Sequence, residues 1–115
     1  MGVACRIAGC KGQVPAELEP VATCVQHFTL EVERRAGEMR LEVSRGQSDK
    51  KRRTDIVIFV REEGERLARI GTSTPGLSDE LKARILATFL TLMNLREKVD
   101  QFNRRDTSPA QAASH

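Results

Sequence analysis

The sequence predicts an all-α protein: a three-helix up-down-up bundle with a Cys3His element ahead of it. Three observations predict this. Three segments carry apolar residues at steps of three and four, the signature of one helical face. Two short breaks separate those segments, Gly46–Arg53 and Gly71–Gly76. All three cysteines, Cys5, Cys10 and Cys24, lie in the first quarter of the 115-residue chain, together with His27.

The first helix is expected from Thr23. Thr23 and Gln26 stand at the spacing of a capping box, in which each side chain satisfies the other's backbone N–H. Val25, Phe28, Val32, Ala36, Met39 and Val43 then form one apolar face, and Gly46 supplies the C-terminal stop. Gly37, inside this helix, marks either a close approach or a tolerated imperfection. Ahead of the helix, residues 1–23 are rich in Gly and Pro and suit no long element. Gly9 permits a tight turn beside Cys10, and Pro15–Leu18 suits a single helical turn.

Gln47–Arg53 reads as a polar connector ending in the basic run Lys50-Lys51-Arg52-Arg53. The second helix starts at Thr54 or a few residues earlier. Its spaced positions are Ile56, Val57, Val60, Gly64, Leu67, Ala68 and Gly71. Ile56–Val60 alone also suits a strand, but the helical period continues through Arg69 and no second strand exists to pair with it. Glu62, Glu63 and Glu65 read as an exposed face beside Arg61, Arg66 and Arg69.

The third helix is the most strongly patterned. Ser78 is its N-cap, and Asp79 and Glu80 sit in the first turn, where the helix dipole favours acids. Leu81, Ile85, Thr88, Leu92, Leu95, Val99 and Phe102 form a continuous stripe. A second stripe, Leu86, Phe89, Leu90 and Met93, widens it. A helix apolar over that much of its circumference needs neighbours on more than one side. Most of that surface is expected in the bundle core, and the remainder suits a further partner, a second copy being the simplest. The resulting organisation is residues 1–27 as a knuckle leading into the first helix, 28–104 as the bundle and 105–115 as a disordered polar tail.

Composition narrows the partners. The net charge is +3, which permits an anionic partner without demanding one. The absence of Trp and Tyr argues against recognition of single strands by stacking. No apolar run approaches a membrane span, and the N-terminus lacks the apolar core of a signal peptide. A cytoplasmic location is expected, and there three cysteines serve better as thiolate ligands than as disulfide partners.

The chemistry concentrates at C-x4-C-x13-C-x2-H. Taken singly, each cysteine is an ordinary small buried residue. Together, Cys5, Cys10, Cys24 and His27 are the donor set of a structural zinc site, with iron or an iron–sulfur cluster as the alternative occupant. Cys24 and His27, three apart, share a face in a helix's first turn. Three thiolates, a neutral imidazole and Zn²⁺ sum to −1, which a helix N-terminus stabilises. Glu31 is expected as an outer hydrogen-bond acceptor or a solvated residue. With the one internal histidine committed to metal, no catalytic residues stand out, and no phosphate-binding glycine loop or small-molecule site is evident. The expected role is therefore non-enzymatic: a zinc-stabilised helical protein acting through protein–protein contacts, with itself or another protein. Two alternatives use the same residues. One is a nucleic-acid-binding regulator using the knuckle and Lys50–Arg53; the other is a thiol redox sensor that ejects zinc on oxidation.

The spacing of Cys5, Cys10, Cys24 and His27, followed by the aromatic Phe28, resembles a small treble-clef-like zinc knuckle-plus-helix. Such elements occur in HNH-associated DNA-processing proteins of phages and bacteria, where the pattern has Tyr at the position of Phe28. The resemblance covers the first quarter of the chain. The whole chain also looks like small bacterial proteins that join this knuckle to a helix of the Ser78–Glu97 type.

Overall fold

The structure, a computed structural model, describes residues 3–106. Two short strands, β1 (Val3–Ala4) and β2 (Gln13–Val14), pair antiparallel, with Val3 opposite Val14 and Ala4 opposite Gln13. A 3-10 turn over Ala16–Val21 follows, then α1 (Val25–Ser44), α2 (Lys50–Ser73) and α3 (Asp79–Asp106). The predicted all-α bundle is what forms, and the two-residue strands are its addition. The expected tail began at Arg105, but α3 continues through Asp106; 107–115 lie outside the described residues.

Contacts between helices fix the up-down-up order. Glu42 near the end of α1 binds Arg52 at the start of α2, with Oε2 2.9 Å from Nε. Arg53, also at the start of α2, meets Asn103 at the end of α3. At the opposite end, Gly71 of α2 lies against Ile85 of α3, and Glu33 of α1 pairs with Arg84 of α3. All six predicted apolar positions of α1 are buried. They pack with Ile56, Val60, Leu67 and Ile70 of α2 and Ile85, Leu92, Leu95 and Val99 of α3 in one core. Gly46, at φ 69°, ends α1 in a Schellman turn: its N–H reaches the Val43 carbonyl, and the Gln47 N–H reaches that of Glu42. Gly37 has nothing within 4 Å of a built Cβ, so it marks no close approach.

Three local expectations are corrected. The basic run is not a connector, because Asp49 caps α2 by accepting the Arg52 N–H at 2.7 Å, and Lys50–Arg53 form the first helical turn. Arg53 is buried, which a charge tolerates only when it is bonded. It donates to Asn103 Oδ1 and to the Ser48 carbonyl, both at 2.8 Å. Glu63 is not part of an exposed face; it is buried, while Glu62 and Glu65 are exposed. Burial raises the Glu63 pKa above the usual carboxylate value, with Arg66, 2.9 Å away, and Arg35 working against that rise. The capping box of Thr23 and Gln26 does not form: Cys24 is the N-cap of α1, and Thr23 Oγ1 is buried without a partner.

On α3, Ser78 Oγ accepts the Leu81 N–H at 3.1 Å, as a cap should. The first stripe is buried from Ile85 to Val99, with Leu81 and Phe102 at its half-buried ends. Of the second stripe, Phe89 packs over Gly64 of α2. Leu86, Leu90 and Met93 remain 60%, 55% and 40% exposed. No helix among the described residues is long and apolar enough to cross a membrane.

Candidate metal centre

The four predicted residues come together at the N-terminal end of α1. The donor atoms of Cys5, Cys10, Cys24 and His27 all lie within 4.8 Å of one another. Each is placed by a different local device. Cys5 follows β1, and the Arg6 N–H binds the Ala22 carbonyl at 2.6 Å, which fastens this limb to the segment before α1. Cys10 closes a tight turn, its N–H on the Ile7 carbonyl at 3.0 Å, with Gly9 at φ 78°. That left-handed conformation is why glycine suits the position. Cys24 and His27 occupy the N-cap and third residue of α1. The Cys24 sulfur sits 3.5 Å from the His27 N–H, where a capping oxygen would usually be.

Three of the donor pairs stand at the edge lengths of a tetrahedral ion. Metal–sulfur bonds of about 2.3 Å give sulfur–sulfur edges of about 3.8 Å, and a metal–nitrogen bond of about 2.0 Å gives sulfur–nitrogen edges of about 3.5 Å. Cys10 and Cys24 are 3.7 Å apart, sulfur to sulfur. The His27 Nδ1 lies 3.5 Å from the Cys5 sulfur and 3.3 Å from that of Cys24. Nδ1 is thus the nitrogen turned toward the cysteines.

The electrostatics also favour a cation. Burial opposes a thiolate on Cys5, but backbone hydrogen bonds from Ile7 and Cys24, with His27 and Cys10 alongside, bring its pKa down to about 6. Burial raises the Cys24 pKa, and the nearby Cys10 and Cys5 add to the rise. Neighbouring thiolates cannot all hold charge unaided, and a divalent ion removes that conflict. The Gly12 N–H points to the Cys10 sulfur at 3.3 Å, adding a weak donor to the anionic cluster. Cys5 and Cys24 are buried, and Cys10 is the most accessible of the three sulfurs. Glu31, the expected outer acceptor, is engaged by Arg34 at 2.6 Å, which lowers its pKa.

Sequence spacing did not single out Gly12, Leu18 or Ala22. A Cβ on Gly12 would stand 2.8 Å from the Cys24 Cβ and 3.1 Å from its sulfur, closer than atoms pack. Leu18 is fully buried and anchors the 3-10 turn to the core. Ala22 adopts a left-handed φ of 54°, unusual for a residue with a Cβ, and its carbonyl receives Arg6. The substitution Gly12→Ala should weaken metal binding by about 10–100-fold in competition with a chromophoric chelator, the range for residues that support ligands. Gly37→Ala, with open space around it, should leave binding unchanged. Equal affinities for Gly12→Ala and wild type would contradict the crowding.

No protein-family model matches the chain, and comparison with curated proteins and with solved structures returns no match. No family match supports the resemblance to HNH-associated proteins; the four donors, within 4.8 Å of one another, fit a metal-binding knuckle.

Proposed function

We propose that this chain is a zinc-stabilised, non-enzymatic protein that acts through protein–protein contacts, as an adaptor or regulatory partner. The observation that carries this reading is the outer face of α3. Leu86, Leu90 and Met93 stand exposed in one row on a helix whose opposite face already fills the core. A row of large apolar side chains in water is costly and marks a contact surface. Zinc is the ion the donor set favours, since three thiolates and an imidazole in a tetrahedron are a common structural zinc shell. Four protein ligands complete that shell, and the bound ion would supply folding energy to the N-terminal segment. His27, the one histidine among the described residues, is committed to it.

The nucleic-acid reading loses part of its surface. Of Lys50–Arg53, Arg52 is held by Glu42, and Arg53 is buried against Asn103 and Ser48. The two lysines remain exposed. The contact reading is tested by comparing wild type with Leu90→Glu as bait in extracts of the native cell and in self-association. Loss of the associations on charging Leu90 supports it. Associations identical in the two proteins, or none in either, refute it.

A further inference from the structure

We propose that the metal centre is also a thiol switch: a peroxide joins Cys10 to Cys24 in a disulfide, the ion is given up, and the limb carrying Cys5 is released. The inference rests on the zinc reading above and assigns a regulation to that same site.

Three observations single out this pair. The two sulfurs stand 3.7 Å apart. A disulfide needs about 2.0 Å, so each sulfur has less than about 1 Å to travel. Cys24 is fixed as the N-cap of α1, while Cys10 lies in the loop between β1 and β2, and the loop can supply the movement. Cys10 is also the sulfur that a small oxidant reaches first. Cys5 and Cys24 are buried, whereas Cys10 is half-buried and lines an open cavity of about 420 Å³ with Ala4, Lys11 and Gln13. Reactive cysteines are those a reagent can reach. Finally, Gly12 lies over both sulfurs. An added Cβ there would stand 3.4 Å from the Cys10 sulfur and 3.1 Å from that of Cys24, so glycine keeps any side chain from crowding the pair.

The chemistry balances with hydrogen peroxide as the oxidant. The Cys10 thiolate attacks one peroxide oxygen, the O–O bond breaks, and hydroxide leaves, giving a sulfenic acid. The Cys24 thiolate then attacks the Cys10 sulfur. The S–S bond forms, the S–O bond breaks, and a second hydroxide leaves. Two protons from solvent turn both hydroxides into water, and the two electrons given up by the sulfurs have reduced the peroxide. Cys5 and His27 remain, two donors where a closed shell has four, so the ion is lost. The disulfide keeps residues 10–24 closed onto α1, while β1 and Cys5 lose their tie. Oxidation thus frees only the limb ahead of Cys10, whereas chelation loosens the whole segment.

The test treats the full zinc-bound chain with stoichiometric hydrogen peroxide. A chromophoric indicator follows the zinc, and peptide mass spectrometry without reduction maps the linkage. One zinc should be released per disulfide formed, Cys10 should be joined to Cys24, and Cys5 should stay open to alkylation. Amide spectra should lose the dispersed signals of residues 3–9 and keep those of 11–23. A dithiol reductant with added zinc should restore the starting spectrum. Zinc retained under peroxide, Cys10 driven to sulfinic acid without a disulfide, or Cys5 joined to either partner overturns the switch and leaves the zinc reading standing. Loss of both sets of signals overturns the selective release. A chain that binds no zinc overturns the switch and the zinc reading together.

Discussion

Chelating the metal should disorder residues 3–23 while the three helices persist. The segment holds little structure of its own. Its strands are two residues each, and Val3 and Ile7 are exposed. Apart from its cysteines, its buried apolar side chains are Val14 and Leu18, of which only Leu18 is fully enclosed. The pair of Glu17 with Arg69 that links it to α2 is half-exposed, and such pairs contribute about 1 kcal/mol or less. That does not offset the ordering entropy of some twenty residues, at about 1–2 kcal/mol each for the backbone. A bound ion would make up the difference by holding two points of the segment, Cys5 and Cys10, to Cys24 and His27 at the start of α1. The helices do not depend on it to the same degree, since Ile56, Leu67, Leu92, Leu95 and Val99 are fully buried among themselves and α1. Amide spectra should therefore lose the dispersed signals of the N-terminal segment and keep those of the bundle. Cys10→Ser should produce the same pattern without a chelator. An N-terminal spectrum unchanged after metal removal would contradict this account.

Two leucines on α3 should behave oppositely. Leu92→Ala removes a side chain with no exposed surface and should cost about 2–5 kcal/mol, the range for core leucines. Leu86→Ala removes one that is 60% exposed and should change stability by about 0.5 kcal/mol or less, because surface substitutions seldom do more. Denaturant unfolding measures both. Similar losses would mean that the outer stripe is part of the core after all. The contrast matters because the two residue types are identical and lie on one helix, so helix propensity cancels. What remains is whether the monomer uses the side chain. Leu86, with Leu90 and Met93, is then available for a contact outside the chain.

The bundle and the ligand set were legible because both depend on spacing. Steps of three and four placed the buried faces of α1 and α3 residue by residue, and four donors at C-x4-C-x13-C-x2-H converge as expected. What the sequence hid were competitions between neighbours. Thr23 and Gln26 have the spacing of a capping box, but α1 begins one residue later, and the Cys24 sulfur accepts the His27 N–H and takes the cap. Glu63 lies three residues after Val60 and four before Leu67, squarely on the buried face. Its charge masked that position, which is tolerated because Arg66 reaches it. The start of α2 was obscured because its first turn faces Glu42 and Asn103 rather than an apolar core, so no hydrophobic period announces it. The signal was Asp49, a good N-cap just ahead of Lys50. Gly12 was invisible because its importance is a distance to Cys24, across a loop.

The central claim is that one zinc ion held by Cys5, Cys10, Cys24 and His27 fastens the N-terminal segment to the bundle. It is tested most directly by metal analysis of the purified chain and of serine or alanine variants at the four positions. The account predicts one zinc per wild-type chain, lost or greatly weakened in each of the four variants. A wild-type chain that folds with its N-terminal segment ordered and no metal, or a metal content indifferent to all four substitutions, would contradict it.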